Sequence, residues 1–158
     1  SPIKRGNNSF WIFLSKINQL FLLRKLFNQV FISREVKDEA LIESKPGGIN
    51  ILNAIDEGWI KVVEVKKNIP IGTKGGENSV INLAIERKDK LLVDDAVAIK
   101  IAKSFNIETI RTTTIIFMAV KKNLITKEQA ISFIDKLIEI GYYITPTYYA
   151  IILKKLTS

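Results

Sequence analysis

The chain has 158 residues, 47% of them hydrophobic and 25% charged, which suits a single domain over 1–158 with a real core. Cysteine and histidine are both absent, which excludes thiol nucleophiles, serine–histidine dyads, disulfides and the usual zinc ligand sets. Any catalysis must therefore use carboxylates, hydroxyls, lysine, arginine or a hard metal ion. Lysine and arginine number 24 against 16 aspartates and glutamates, a net charge of +8 that divides evenly between the two halves. Such a broadly basic surface attracts polyanions, nucleic acid among them.

The opening "SPIKRGNNSFWIFLSKINQLFLL" places basic residues before an apolar run, but Lys16, Asn18 and Gln19 interrupt it and no small-residue cleavage site follows. Phe13, Ile17, Leu20, Leu23 and Phe27 recur in steps of three or four, which predicts an amphipathic helix from Phe13 to Phe27. No apolar stretch approaches the roughly 18 residues of a membrane span, so the expectation is a cytoplasmic protein with no membrane contact.

"VFI" at 30–32 reads as a strand, and Ser33 stands at the N-cap position of the helix "REVKDEALIE". Lys45-Pro46-Gly47-Gly48 breaks the chain, "INILNAIDE" resumes the helical period, and Gly58 closes it before the strand "WIKVVEV". "KKNIPIGTKGGE" reads as a polar, glycine-rich connection into the helix "ENSVINLAIERK". There follow a strand "KLLV", a helix "DDAVAIKIAKSF", a short strand "ETI" and a helix "TTTIIFMAVKK". Thr126 and Gln129 form a capping-box pattern for a helix that runs to Ile140 and stops at Gly141. "YYI" predicts a last strand, and Thr145-Pro146 starts the final helix "TYYAIILKKL". Short, nearly all-apolar strands alternating with helices indicate a three-layer α/β/α sandwich around a mostly parallel sheet. Ligands of such sheets bind beyond the carboxyl ends of the strands.

Asp94 and Asp95 stand at one such end, directly after "LLV" and directly before a helix. Capping alone accounts for one of them, and a first-turn acid at the helix dipole for the other. Other acids occupy comparable places, however. Glu77 follows Gly75-Gly76 at a helix start, and Glu39 shares a helix face with Val36. Converging carboxylates repel one another, and a divalent cation resolves the conflict. An oxygen-only ligand set suits Mg²⁺ or Mn²⁺, which can activate water against a phosphodiester.

The runs "FLSKINQLFLLRKLFNQVFISREVKDEA", "GGENSVINLAIERKDKLLVDDAVAIKIAKSFNIETIRT" and "VKKNLITKEQAISFIDKLIEIGYYITPTYYAIILKK" resemble the PIN-like ribonucleases of toxin-antitoxin type, over nearly the whole chain from about Ile12. The resemblance implies a metal-dependent ribonuclease whose acidic cluster binds Mg²⁺ or Mn²⁺, acts on RNA and is restrained by a small antitoxin protein. It aligns Glu39 with the acid of the family's "EV..E" helix, Glu77 with that of "GE.EAI", and Asp95, beside Asp94, with that of "LLIDD". Asn7 stands where the family's first strand carries a metal-binding Asp, and Ser79 replaces the second acid of "GE.EAI". Asn7 can still coordinate through its carbonyl oxygen but brings no charge.

The implied site is therefore Glu39, Glu77, Asp95 and Asn7 on the metal, with Asp94 positioning water or metal. Lys66, Lys67, Lys74 and Lys100 are candidates to hold RNA phosphates. The alternative is an impaired domain of the same fold that binds RNA or a protein partner without cutting. Tyr142, Tyr143, Tyr148 and Tyr149 suit either base stacking or packing. Phe10, Trp11 and Phe13 suggest an apolar surface for a homodimer. A phosphate-binding loop is excluded, because "IGTKGGEN" lacks the terminal Lys-Ser or Lys-Thr.

Overall fold

A computed structural model describes residues 9–43, 47–72 and 75–158, without the side chains at 43 and 75–77. The chain is a mixed α/β fold, mostly helical, with parallel strands, the class that the alternating pattern predicts. Strands β1 (Val30–Ser33) and β2 (Ile60–Val63) pair in parallel, as do β3 (Leu91–Leu92) and β4 (Thr109–Ile110). Among the described residues these are two separate pairs. A cavity of about 280 Å³ lies between them, lined by Val30 and Phe31 on one side and Leu91 and Leu92 on the other.

The expected first helix is two helices, α1 (Ser9–Lys16) and α2 (Leu22–Leu26). Asn18 breaks the run with a φ of 57°, a left-handed conformation that asparagine tolerates better than most side chains. Phe10, Trp11 and Phe13 are at most 6% exposed. These three aromatics belong to the intramolecular core, so the apolar dimer surface expected of them is corrected: they are spent on folding.

α3 (Arg34–Glu43) begins as the sequence predicts, with the Ser33 hydroxyl accepting the Val36 N–H at 3.2 Å. α4 (Gly48–Glu57) packs so closely on α3 that a Cβ at Gly48 would stand 3.2 Å from the Leu41 carbonyl. Gly58 ends α4 with a φ of 88°, which a residue without Cβ adopts at no steric cost.

The segment after β2 looked like a simple polar connection, yet it is clamped to α5 (Gly75–Arg87) by asparagines. Asn78 and Asn82, one helical turn apart, both donate to Asn68 Oδ1. Their own oxygens accept the N–H groups of Ile71 and Ile69. Backbone groups that would be costly to bury unpaired are thereby satisfied.

The remaining helices are α6 (Ala96–Ser104), α7 (Thr112–Lys121), α8 (Lys127–Glu139) and α9 (Pro146–Thr157). The Thr126–Gln129 capping box and the Thr145 cap are both present. Residues 142–144, expected as a strand, are irregular. Tyr142 there is buried, its ring packed edge-on against Phe13 with centroids 5.0 Å apart.

The main core gathers α1–α4, β1, β2, Ile110 of β4 and α7–α9. A smaller cluster of Ile81, Leu91, Val93, Ala98, Ala102 and Ile107 joins α5, β3 and α6. Among the described residues no helix is long and apolar enough to cross a membrane.

Candidate active site

β3 and β4 are parallel and in register, so their carboxyl ends lie side by side where α6 and α7 begin. Val93 continues the ladder, donating its N–H to the Ile110 carbonyl at 3.0 Å. The two aspartates follow at once, and the structure gives them different work.

Asp95 is the N-cap of α6, and its Oδ2 accepts the Ala98 N–H at 2.9 Å. Its Oδ1 accepts no hydrogen bond from the described residues, and the side chain is half-buried. The capping expectation is therefore met with one carboxylate oxygen to spare.

Asp94 is only 8% exposed and spans the gap to α7. Its Oδ1 accepts the Thr112 N–H at 3.0 Å and the Tyr142 hydroxyl at 2.6 Å, and its Oδ2 accepts the Thr112 hydroxyl. Arg111, at the N-cap position of α7, makes no capping bond of its own. Asp94 does that work from the neighbouring strand, with its charge at the positive end of the α7 dipole. It is thus neither an N-cap nor a first-turn acid of its own helix.

Burial pushes the Asp94 carboxyl above its ordinary range, and the bonds from Thr112 and Tyr142 and the Arg111 charge offset this only in part. Burial, reinforced by the Asp94 charge and hydrogen bond, drives the Tyr142 phenol far upward. The neutral phenol, which donates to Asp94, is thereby favoured.

Both aspartates line a cleft of about 750 Å³, together with Arg111, Tyr142, Tyr143 and Tyr148. Arg111 is the one cation among its described lining residues. Its Nε stands 3.9 Å from Asp94 Oδ1, and its Nη2 donates to the Asp94 carbonyl at 3.4 Å.

The other residues singled out in the sequence are placed as follows. Glu39 is half-buried on α3, one turn after the fully buried Val36, as their shared face predicts, and does not line this cleft. Glu77 belongs by its backbone to the first turn of α5, while its side chain lies outside the described residues, as do Asn7 and Lys74 altogether. Lys66 and Lys67 follow β2, where the Lys67 N–H is bound by Glu86 of α5, and Lys100 is exposed on α6. None of these three lysines lines the cleft. Ser79 is buried, its hydroxyl 2.7 Å from that of Ser33.

Arg111 and Thr112 are residues of the site that sequence reasoning missed, and Tyr142 was singled out there only as a stacking or packing ring, not as a partner of Asp94. The only hint was a threonine run directly after a strand, which carries no long-range information.

Among the described residues no three carboxylates come together as a metal site. The possible metal donors among the cleft's described residues nevertheless fit a hard cation: they are oxygens, and Asp95 Oδ1 accepts no hydrogen bond from the described residues. Asp94, by contrast, has both oxygens committed to protein donors.

A family model described as a PIN domain matches residues 6–158. Comparison with curated proteins and with solved structures finds no match. PIN domains are nuclease-like and generally depend on a divalent metal. With the match running through all the elements described above, and the acidic pair standing at the strand end where the sequence resemblance puts it, the chain belongs to the PIN domain family.

Proposed function

We propose that this protein is a Mg²⁺- or Mn²⁺-dependent ribonuclease of toxin type, working in the cleft at the ends of β3 and β4. The observation that carries the reading is the division of labour in the acidic pair. Asp94 is locked by Thr112 and Tyr142, and Asp95 presents an open oxygen beside it. In this reading Asp95 holds the metal, with Glu77 and Asn7 as the partners that the resemblance supplies, and Asp94 fixes the position of the Asp95 backbone. Glu39, which the resemblance also aligns, does not line the cleft and is no ligand of an ion held there. The ion, when bound, supplies positive charge and an acidified water. Asp95 orients that ion, Arg111 faces the substrate phosphate, and the Asp94–Tyr142 bond keeps the floor of the cleft rigid. The net charge of +8 supports a polyanionic substrate. An acidic antitoxin partner suits the same overall charge.

A second reading, a domain that binds RNA or a protein partner without cutting, draws support from Ser79. Where the resemblance implies the second acid of the "GE.EAI" motif, this chain has a neutral hydroxyl buried against Ser33. Asn7 removes a further charge.

Cleavage of a labelled structured RNA by the purified chain, with Mn²⁺ and then with EDTA, separates the readings. The nuclease reading expects metal-dependent cutting that Asp95→Asn abolishes; asparagine still caps α6, so the loss is chemical. Cutting only by Asn7→Asp identifies a disabled enzyme. Binding of RNA without cutting by either chain overturns the nuclease reading.

A further inference from the structure

We propose that Arg111, with Tyr143 and Tyr148, forms a nucleotide-binding subsite of the cleft: the guanidinium takes a backbone phosphate and the phenol rings take an unpaired base. The inference rests on the nuclease reading only for the identity of the cleft.

Three observations carry it. Two carboxylates line the cleft, and any polyanion entering it needs a compensating cation. Arg111 is the only one among the described lining residues. Its donors are also scarcely used: among the described residues its five N–H groups have one long bond, 3.4 Å to the Asp94 carbonyl, and a 3.9 Å approach to Asp94 Oδ1. The Asp94 oxygens are already occupied by Thr112 and Tyr142, so that carboxylate steers the guanidinium without consuming it. The side chain is 44% exposed, within reach of solvent at a site whose root is fixed by a buried anion. A planar fork held in this way matches a phosphate in two-point contact better than an ammonium can.

Tyr143 and Tyr148 supply the second half of the subsite. They are 64% and 36% exposed, unlike Tyr142, and line the same cleft as Arg111. Tyr148 is placed by α9, and its hydroxyl lies 3.5 Å from that of Thr113 on the first turn of α7, next to Arg111. Exposed rings lining the same cleft as a cation offer the combination on which single-stranded nucleic acid stacks. A paired base has no free face to offer them, so the subsite discriminates for unpaired strands.

The test is fluorescence anisotropy of a labelled 12-nucleotide RNA, single-stranded and as a duplex, in EDTA at several salt concentrations. Arg111→Ala is expected to weaken binding roughly tenfold and to flatten the salt dependence by about 0.7 in the log–log slope. Arg111→Lys keeps the slope and loses part of the affinity. Tyr143→Ala and Tyr148→Ala each weaken single-strand binding roughly fivefold and leave the duplex unchanged. Lys121→Ala, at the other end of α7, removes the same charge as a control. If Arg111→Ala behaves like Lys121→Ala, or the tyrosine variants affect both RNA forms equally, the subsite is refuted. Because EDTA removes cleavage from the measurement, Arg111-dependent binding by a chain that never cuts sinks the nuclease reading alone. Cutting with Arg111-independent binding sinks the subsite alone.

Discussion

At the end of β1 the chain turns into α3 through Ser33, and at the end of β3 it turns toward α6 through Asp94 and Asp95. Both junctions cap a helix and both bridge to a second element. The first does so with neutral hydroxyls, Ser33 accepting from the Val36 N–H and pairing with Ser79 of α5. The second uses charge, dividing cap and bridge between two carboxylates. A neutral pair costs little to bury; a carboxylate there is costly unless hydrogen bonds surround it. Only the charged junction borders the large cleft. The difference teaches that β1 ends in a joint, and β3 ends in a joint that has kept an electrostatic field.

Breaking the charged bridge gives the largest expected effect. Asp94→Ala orphans the Thr112 N–H and the Tyr142 hydroxyl and should cost about 3 kcal/mol or more of unfolding free energy, measured by urea denaturation. Breaking the neutral one is milder: Ser33→Ala loses the α3 cap and one buried bond, roughly 1–2 kcal/mol by the same measurement. Comparable losses for the two would erase the contrast. Asp95→Ala removes only a cap and should cost about 1 kcal/mol of stability. Metal-dependent cleavage should nevertheless vanish, so activity falls far out of proportion to folding.

The subtlest probe is pH. The folded-state pKa of Asp94 lies above its ordinary value of 3.8, so the folded chain binds a proton more readily than the unfolded one. Its contribution to stability is fully present below pH 3.8 and declines as pH rises through the raised folded value. Asp94→Asn keeps the shape and removes the titration. Its stability relative to the parent chain should therefore improve as pH rises across that window. An unchanged difference across the window would show that burial does not dominate at Asp94.

Much of the fold was legible in advance. The caps at Ser33, Thr126 and Thr145, the stop at Gly58 and the parallel alternation all follow from local chemistry, which a single stretch of sequence contains. The partners of Asp94 were not, because Thr112 and Tyr142 lie 18 and 48 residues away and nothing local marks them. Tyr142 also misled: "YYI" has the composition of a strand, yet the burial of its phenol against Asp94 and Phe13 overrides that propensity. The first helix failed for a similar reason, since its 3.6-residue period continues across Asn18 while the backbone does not.

The Thr112 amide joins two parts of the molecule that fold around different centres. Its hydrogen goes to Asp94, which follows Val93 of the smaller apolar cluster, while Ile115 and Ile116 of the same helix belong to the main one. Proteins open in cooperative units, and a small cluster opens at lower free energy than a large one. Hydrogen–deuterium exchange at this single amide therefore clocks how often the cleft comes apart, separately from global unfolding. An amide on α7 bonded within the helix, such as that of Ala119, would keep the slower time of the whole domain.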